Sequence, residues 1–221
     1  MNEERHPGDP DKAVLILVDI QPDFVPGGAL PVDGGDQILG PVARLMEEGP
    51  FRLQVATQDW HPRGHVSFAS QHPGKEPMDV MELHGYDQVL WPDHCIQGTQ
   101  GAELHPELPW DRVEAVIRKG TEPDSDSYSG FRNNWDPDGE RPHTGLAGYL
   151  RERGVERVYL CGLARDVCVR WTAEDAAESG FDTWVLWDLT RSVDPSGDQD
   201  LRRVLEDQGV GIVDASGSFA D

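Results

Sequence analysis

The sequence predicts an α/β fold, a doubly wound, mainly parallel sheet with helices on both faces. Two observations carry this expectation. Short runs rich in apolar and β-branched residues alternate along the chain with segments of helical period. The leading run, Ala13-Val-Leu-Ile-Leu-Val18, is apolar at every position rather than at every second one. That is the pattern of a strand buried on both faces, as parallel strands are. A length of 221 residues suits one sizeable core and is short for two. We therefore expect a single domain over residues 1–221, with residues 1–11 a flexible polar tail.

The elements follow in order. The first strand ends at Asp19, and Gln21-Pro-Asp-Phe-Val-Pro-Gly-Gly28 is a loop dense in turn residues. A helical pattern runs through Ile38, Val42, Leu45 and Met46, and residues 53–57 form a second strand. Residues 58–109 read as one long irregular stretch, and loops of that length inside a compact domain are usually functional. A strand over 113–117 ends at Arg118-Lys119-Gly120. A helix over 145–153, a strand over 158–161, a helix over 167–179, a strand over 184–187, a polar helix over 197–207 and a strand over 210–213 complete the alternation. Such sheets use right-handed crossovers and bind ligands beyond the carboxyl ends of their strands. The sequence contains neither an internal repeat nor a low-complexity segment.

Charge narrows the partners. A formal charge of -22, from 41 acidic against 19 basic residues, repels phosphate backbones and anionic lipid heads, so neither nucleic acid nor a membrane is an expected partner. The only lysines are Lys12, Lys75 and Lys119. An Asp-rich, Lys-poor surface stays hydrated in concentrated salt, which suggests a salt-adapted protein. No apolar run approaches the ~20 residues of a membrane span, and the polar start lacks the apolar stretch of a signal peptide, so a cytoplasmic location is expected. An odd number of cysteines in such a chain implies free thiols. A homo-oligomer is left open.

Asp19, Lys119 and Cys168 all fall at or just past a strand's carboxyl end, where this fold gathers its chemistry. Cys168 also opens a helix, and the free N–H groups and positive dipole there favour a thiolate. An acid beside a thiol can accept its proton and return it, while a nearby cation steadies the charged pair. A second chemistry lies in Thr57-Gln-Asp59-Trp-His61-Pro62, because i and i+2 side chains of extended chain share a face. His94 is a plausible third ligand and His65 a candidate fourth. Asp with two His suits a catalytic divalent metal, zinc first, with iron or manganese as alternatives. His72, His84, His105 and His143 read as surface or loop histidines, and Cys95 and Cys161 as structural.

Taken together, these segments resemble the nicotinamidases (pyrazinamidases) of the isochorismatase-like cysteine hydrolase family, a Rossmann-like three-layer fold. The matching stretches are Val18-Asp19-Ile-Gln21-Pro-Asp-Phe24-Val-Pro-Gly-Gly-Ala-Leu30, the Asp59–His61 segment, and Leu90-Trp91-Pro-Asp-His94-Cys95. Lys119-Gly120, Asp126-Ser-Tyr128-Ser-Gly-Phe131 and Gly162-Leu-Ala164-Arg-Asp-Val-Cys168-Val follow in family order, covering residues 12–214.

The resemblance implies a triad of Asp19, Lys119 and Cys168 and a metal on Asp59, His61 and His94. It implies a cis peptide between Leu163 and Ala164, with the amides of Ala164 and Cys168 forming an oxyanion hole. It makes Phe24 and Trp91 the ring-stacking walls, sets Tyr128 near the pocket mouth, and implies nicotinamide as substrate, with pyrazinamide also accepted. Three positions depart from the family pattern. Pro22 replaces a common Asn, Arg165 a common Thr and Val167 a common aromatic, and Arg165 is expected to alter pocket polarity. Among relatives, isochorismatases lack the nucleophilic Cys, and carbamoyl-type amidohydrolases share the triad but generally lack the metal set. A non-catalytic metal-binding member of the fold is the alternative from another class.

Overall fold

In the computed structural model, which describes residues 10–218, the expected tail lies largely outside the described residues, and Pro10–Lys12 form one 3-10 turn. The chain then forms β1 (Ala13–Val18), α1 (Leu39–Glu48), β2 (Leu53–Asp59), β3 (Val80–Leu83), β4 (Tyr86–Val89) and β5 (Ala115–Lys119). The second half supplies α2 (Leu146–Glu152), β6 (Arg157–Leu163), a π-helical turn over Arg165–Val169, α3 (Arg170–Glu178), β7 (Asp182–Arg191), α4 (Asp198–Asp207), β8 (Gly211–Val213) and α5 (Ala215–Ser218).

β1 is buried at every position, as its unbroken apolar run requires. It is a central strand of a six-stranded sheet ordered β5-β2-β1-β6-β7-β8, every pair of which is parallel. Alternate residues of β1 feed opposite layers. Leu15 and Leu17 pack with Val42, Leu45 and Met46 of α1. Val14, Ile16 and Val18 pack with Leu146 and Leu150 of α2, Ala173 and Ala176 of α3, and Leu201 and Leu205 of α4. Strict alternation is what places a helix layer on each face. The chain winds outward through β1, β2 and β5, then crosses to lay β6 on the other side of β1. The order therefore reverses between β1 and β6, the switch point where open α/β sheets bind ligands.

Several elements differ from the sequence expectation, among them β5, which spans Ala115–Lys119 rather than 113–117, and the unexpected α5. The 58–109 stretch is not wholly irregular, because β3 and β4 pair as an antiparallel hairpin around His84 and Gly85. Its residues are mostly polar or half exposed, so no apolar run announces it. β2 extends to Asp59, which pairs with Lys119 of β5, so the carboxylate stands on the sheet rather than in the loop. β7 is far longer than four residues because its register shifts: Leu160 pairs with Val185, but Gly162 pairs with Thr190. An irregularity of that kind breaks the sequence period that would reveal the strand.

Candidate active site

The strand ends at the switch point converge on one ammonium. Lys119 closes β5 fully buried, with Nζ 2.9 Å from Asp19 Oδ2 and 2.8 Å from Asp59 Oδ1. The same Nζ donates to the Ser127 carbonyl at 2.8 Å and to Cys168 Sγ at 3.4 Å. Asp19, at a positive φ of 45°, turns back from the end of β1, and its Oδ1 accepts the Thr57 hydroxyl at 2.6 Å. Its Oδ2 faces the ammonium as an ion pair. The structure thus unites the three residues expected at the sheet edge and ties them to Asp59.

Burial dominates the protonation of this group. It pushes the Cys168 thiol well above the ordinary cysteine range, against the pull of Lys119 and with the help of Asp19 and Asp59. Removal from water thus opposes the helix-start dipole and the Lys119 charge, which favour the thiolate. Burial likewise raises Asp19, opposed chiefly by Lys119. Burial disfavours charge on Lys119 as well, but Asp19 and Asp59 outweigh it and hold the ammonium protonated, well above the usual lysine range.

The turn bearing Cys168 is shaped from both sides. Gly162, at φ 119°, lets β6 approach β1 so closely that a Cβ there would lie 2.1 Å from the Val18 carbonyl oxygen. The Leu163–Ala164 peptide is cis, as the resemblance implies. The next residues form a π turn in which Val169 N–H donates to Ala164 O at 3.0 Å. Cys168 lies in that opening turn, where N–H groups lack intrahelical acceptors. Asp166 accepts the Val193 and Asp194 amides, each at 2.9 Å, and so ties the Val193 segment to the pocket rim.

Arg165 does not behave as expected. Its guanidinium leaves the pocket, stacks 4.0 Å above the Trp187 ring, and donates to Thr190 Oγ1, Thr190 O and Trp187 O at 2.8 Å each. It also pairs with Asp198. The departure at 165 therefore fastens β7 and α4 to the turn and leaves pocket polarity alone, whereas Val167 does line the pocket.

Asp59, His61 and His94 are buried, and their ligand atoms lie within 4.8 Å of one another. Asp59 Oδ2 is 3.0 Å from His61 Nε2 and 3.3 Å from His94 Nε2. His61 Nδ1 lies 3.0 Å from the Gly120 carbonyl, and His94 Nδ1 lies 2.7 Å from that of Pro92. A carbonyl partner fixes the proton on Nδ1 and presents Nε2 as the lone-pair donor, the outer arrangement of metal-binding histidines. Two aimed imidazoles and a carboxylate fit a divalent cation. The candidate fourth ligand His65 sits apart from this set: its ring nitrogens face Ser67 Oγ at 2.7 Å and Ser125 O at 3.2 Å, and it groups instead with His61 and Asp126.

Asp59, His61, His94 and Cys168 line one cavity, together with Phe24, Trp91, Asp126, Tyr128, Ala164 and Val167. Tyr128 OH accepts from Gln88 Nε2 at 2.8 Å and Trp91 Nε1 at 3.2 Å, which fixes both aromatic walls. Cys95 and Cys161 are buried free thiols, and burial pushes both above the ordinary range. Of the other histidines, His143 is exposed and His72 and His84 are half buried, but His105 is buried within its loop.

Several contributors escaped the sequence reading. Gln21 is buried, accepts the Asp59 amide at 2.7 Å and donates to the Asp59 carbonyl at 2.9 Å, fixing the strand end that carries the carboxylate. Gly120, at φ 63°, would place a Cβ 2.3 Å from the His61 ring. Ser127 acts through its carbonyl and Asp126 from a loop, and neither carries a spacing signal. A buried polar residue directly after an apolar strand, as Gln21 is, was the one readable cue.

The model of the isochorismatase domain matches residues 13–216. The chain belongs to the isochorismatase family. A nicotinamidase of Acinetobacter baylyi is 47% identical over 187 residues, covering 85% of each chain. The structure of PnC1 from L. infantum in complex with nicotinate is 42% identical with a TM-score of 0.83, covering 96% of this chain and 98% of that one. The pyrazinamidase of Pyrococcus horikoshii in complex with zinc is 40% identical with a TM-score of 0.72, covering 92% and 99%. Family membership accounts for the parallel sheet.

Proposed function

We infer that the chain hydrolyses nicotinamide to nicotinate and ammonia through a thioester on Cys168. One observation carries the reading: a single buried ammonium, Lys119, joins the carboxylate of Asp19 to Cys168 and Asp59, and both of these line the same cavity as His61 and His94. The nicotinamidases and the nicotinate complex among its relatives support the same substrate.

Asp19 takes the Cys168 proton as sulfur attacks the carboxamide carbon, and the amides of Ala164 and Cys168 donate to the developing oxyanion. Asp19 then gives that proton to the departing nitrogen, which leaves as ammonia when the C–N bond breaks. It next draws a proton from water, whose oxygen cleaves the thioester to nicotinate and returns the thiol. Lys119 holds Asp19 in place and offsets the charge as protons move. Phe24 and Trp91 flank the ring, with Tyr128 near the pocket mouth.

Asp59, His61 and His94 would hold a divalent ion, and zinc is the first choice, with iron or manganese next. Such an ion would supply Lewis acidity toward a ring nitrogen, and binding energy from that contact would serve orientation. A ring-nitrogen anchor serves a pyridine or pyrazine amide, so pyrazinamide is a second substrate and a carbamoyl compound is disfavoured. Among the described residues no helix is long and apolar enough to cross a membrane. We place the activity in the cytoplasm, on one domain spanning the chain, where the nicotinate formed enters NAD salvage.

The test is ammonia release from nicotinamide, pyrazinamide and an N-carbamoyl amine, with and without chelator. Chelator-sensitive turnover of the two ring amides is expected, together with its loss in Cys168→Ala while metal content stays unchanged. Turnover of the carbamoyl compound alone, indifferent to chelator, would refute the reading.

A further inference from the structure

Asp126 is a buried carboxylate in the cavity wall. Asp19, Asp59 and Asp126 are all buried at this site, and Lys119 pairs with the first two. Among the described residues no lysine or arginine pairs with Asp126, although its position is firmly held. Its Oδ1 accepts the Ser127 amide and its Oδ2 accepts Gln88 Nε2, each at 2.8 Å. The carboxylate lies within 4.8 Å of the ligand nitrogens of His61 and His65. Neutral amides orient such a group but do not balance its charge, and an uncompensated buried charge is costly. Counted formally, three carboxylates against one ammonium leave two negative charges, which a divalent ion on the neighbouring Asp59–His61–His94 set would balance.

We propose that Asp126 is the outer carboxylate of this metal centre, setting how tightly a divalent cation is held without replacing any of its ligands. Its spare lone pairs face the cavity, where they can accept from water carried on the ion, and its charge raises the local attraction for a dication. Gln88, reaching in from β4, is then the positioning residue that fixes Asp126 and the Tyr128 hydroxyl together. This gives the β3–β4 hairpin a purpose within the site: it delivers an amide to a carboxylate that the sheet alone would not hold.

The inference rests on the reading of Asp59, His61 and His94 as metal ligands, and the experiment separates the two. Zinc affinity is measured at constant pH by competition with a chromogenic chelator for the wild type, His94→Ala, Asp126→Asn and Gln88→Met. The expected order is loss of tight binding in His94→Ala, a roughly 10–100-fold weakening in Asp126→Asn, and a smaller weakening in Gln88→Met. Metal-free Asp126→Asn should melt no lower than the metal-free wild type, because it removes a buried charge. Wild-type zinc affinity in folded Asp126→Asn would overturn the proposal. Should that variant fail to fold, unchanged affinity in Gln88→Met would overturn it instead. A wild type that binds no zinc, iron or manganese would overturn the metal reading itself.

Discussion

Lys119→Met removes the buried ammonium while keeping most of the apolar stem, and its cost can be worked from the contacts. At 2.9 Å from Asp19 and 2.8 Å from Asp59, each ion pair is worth about 6 kcal/mol of gross attraction at an effective dielectric of ~20. Desolvation of the three groups has already consumed much of that, so breaking the set costs about 3–5 kcal/mol net. For a chain of this size the loss corresponds to roughly 6–20 °C in Tm. Thermal unfolding of metal-free protein reads the stability, and ammonia release from nicotinamide reads the chemistry.

Adding Asp19→Asn to Lys119→Met should recover at least about 1 kcal/mol, because one stranded charge disappears, while turnover stays lost. Lys119→Arg should also fail, since a planar fork cannot meet acceptors arranged around one point. A Lys119→Met protein that melts like the wild type, or a double variant less stable than both singles, would refute the charge argument.

Gly162→Ala is expected to cost roughly 3–5 kcal/mol, since its Cβ would meet the Val18 carbonyl at 2.1 Å in a backbone region that side chains rarely adopt. A wild-type melt would show that β1 and β6 yield more readily than their pairing suggests. Arg165→Lys should lower stability by about 2–4 kcal/mol through loss of the bonds to Thr190, Trp187 and Asp198. It should leave the KM for nicotinamide unchanged, and a shifted KM with an unshifted Tm would return Arg165 to the pocket. With a formal charge of -22, Tm should climb between 0.1 M and 1 M KCl as the screening length falls from about 10 to 3 Å. A melt that peaks at low ionic strength would sink the idea of salt adaptation.

Much of the fold was legible because continuous apolar runs have few other uses. β1, β2, β6 and the helices around Met46, Leu150 and Leu205 follow from period alone. The hairpin of β3 and β4 was not legible, because its residues are half exposed and its value lies in one amide, that of Gln88. The true length of β7 was hidden by a register shift that has no sequence period. At the site, Asp19, Lys119 and Cys168 were readable from their places at strand ends, and Asp59 with His61 from a two-residue spacing. The contributions of Gln21, Ser127 and Asp126 were not, since each depends on which loop reaches across the pocket.

By itself, then, the order of residues determined a parallel sheet wound in two directions and the set of groups gathered at its carboxyl edge. Those properties depend on local period and chain order, which are written one residue after another. Only the tertiary structure decided what state those groups are in. Cys168 sits at a helix start, yet burial pushes its thiol well above the ordinary cysteine range, against the pull of Lys119. Arg165 follows the cis Leu163–Ala164 peptide, yet it faces away to bind Trp187, Thr190 and Asp198. Burial and direction are sums over neighbours distant in the chain, and no stretch of sequence contains them.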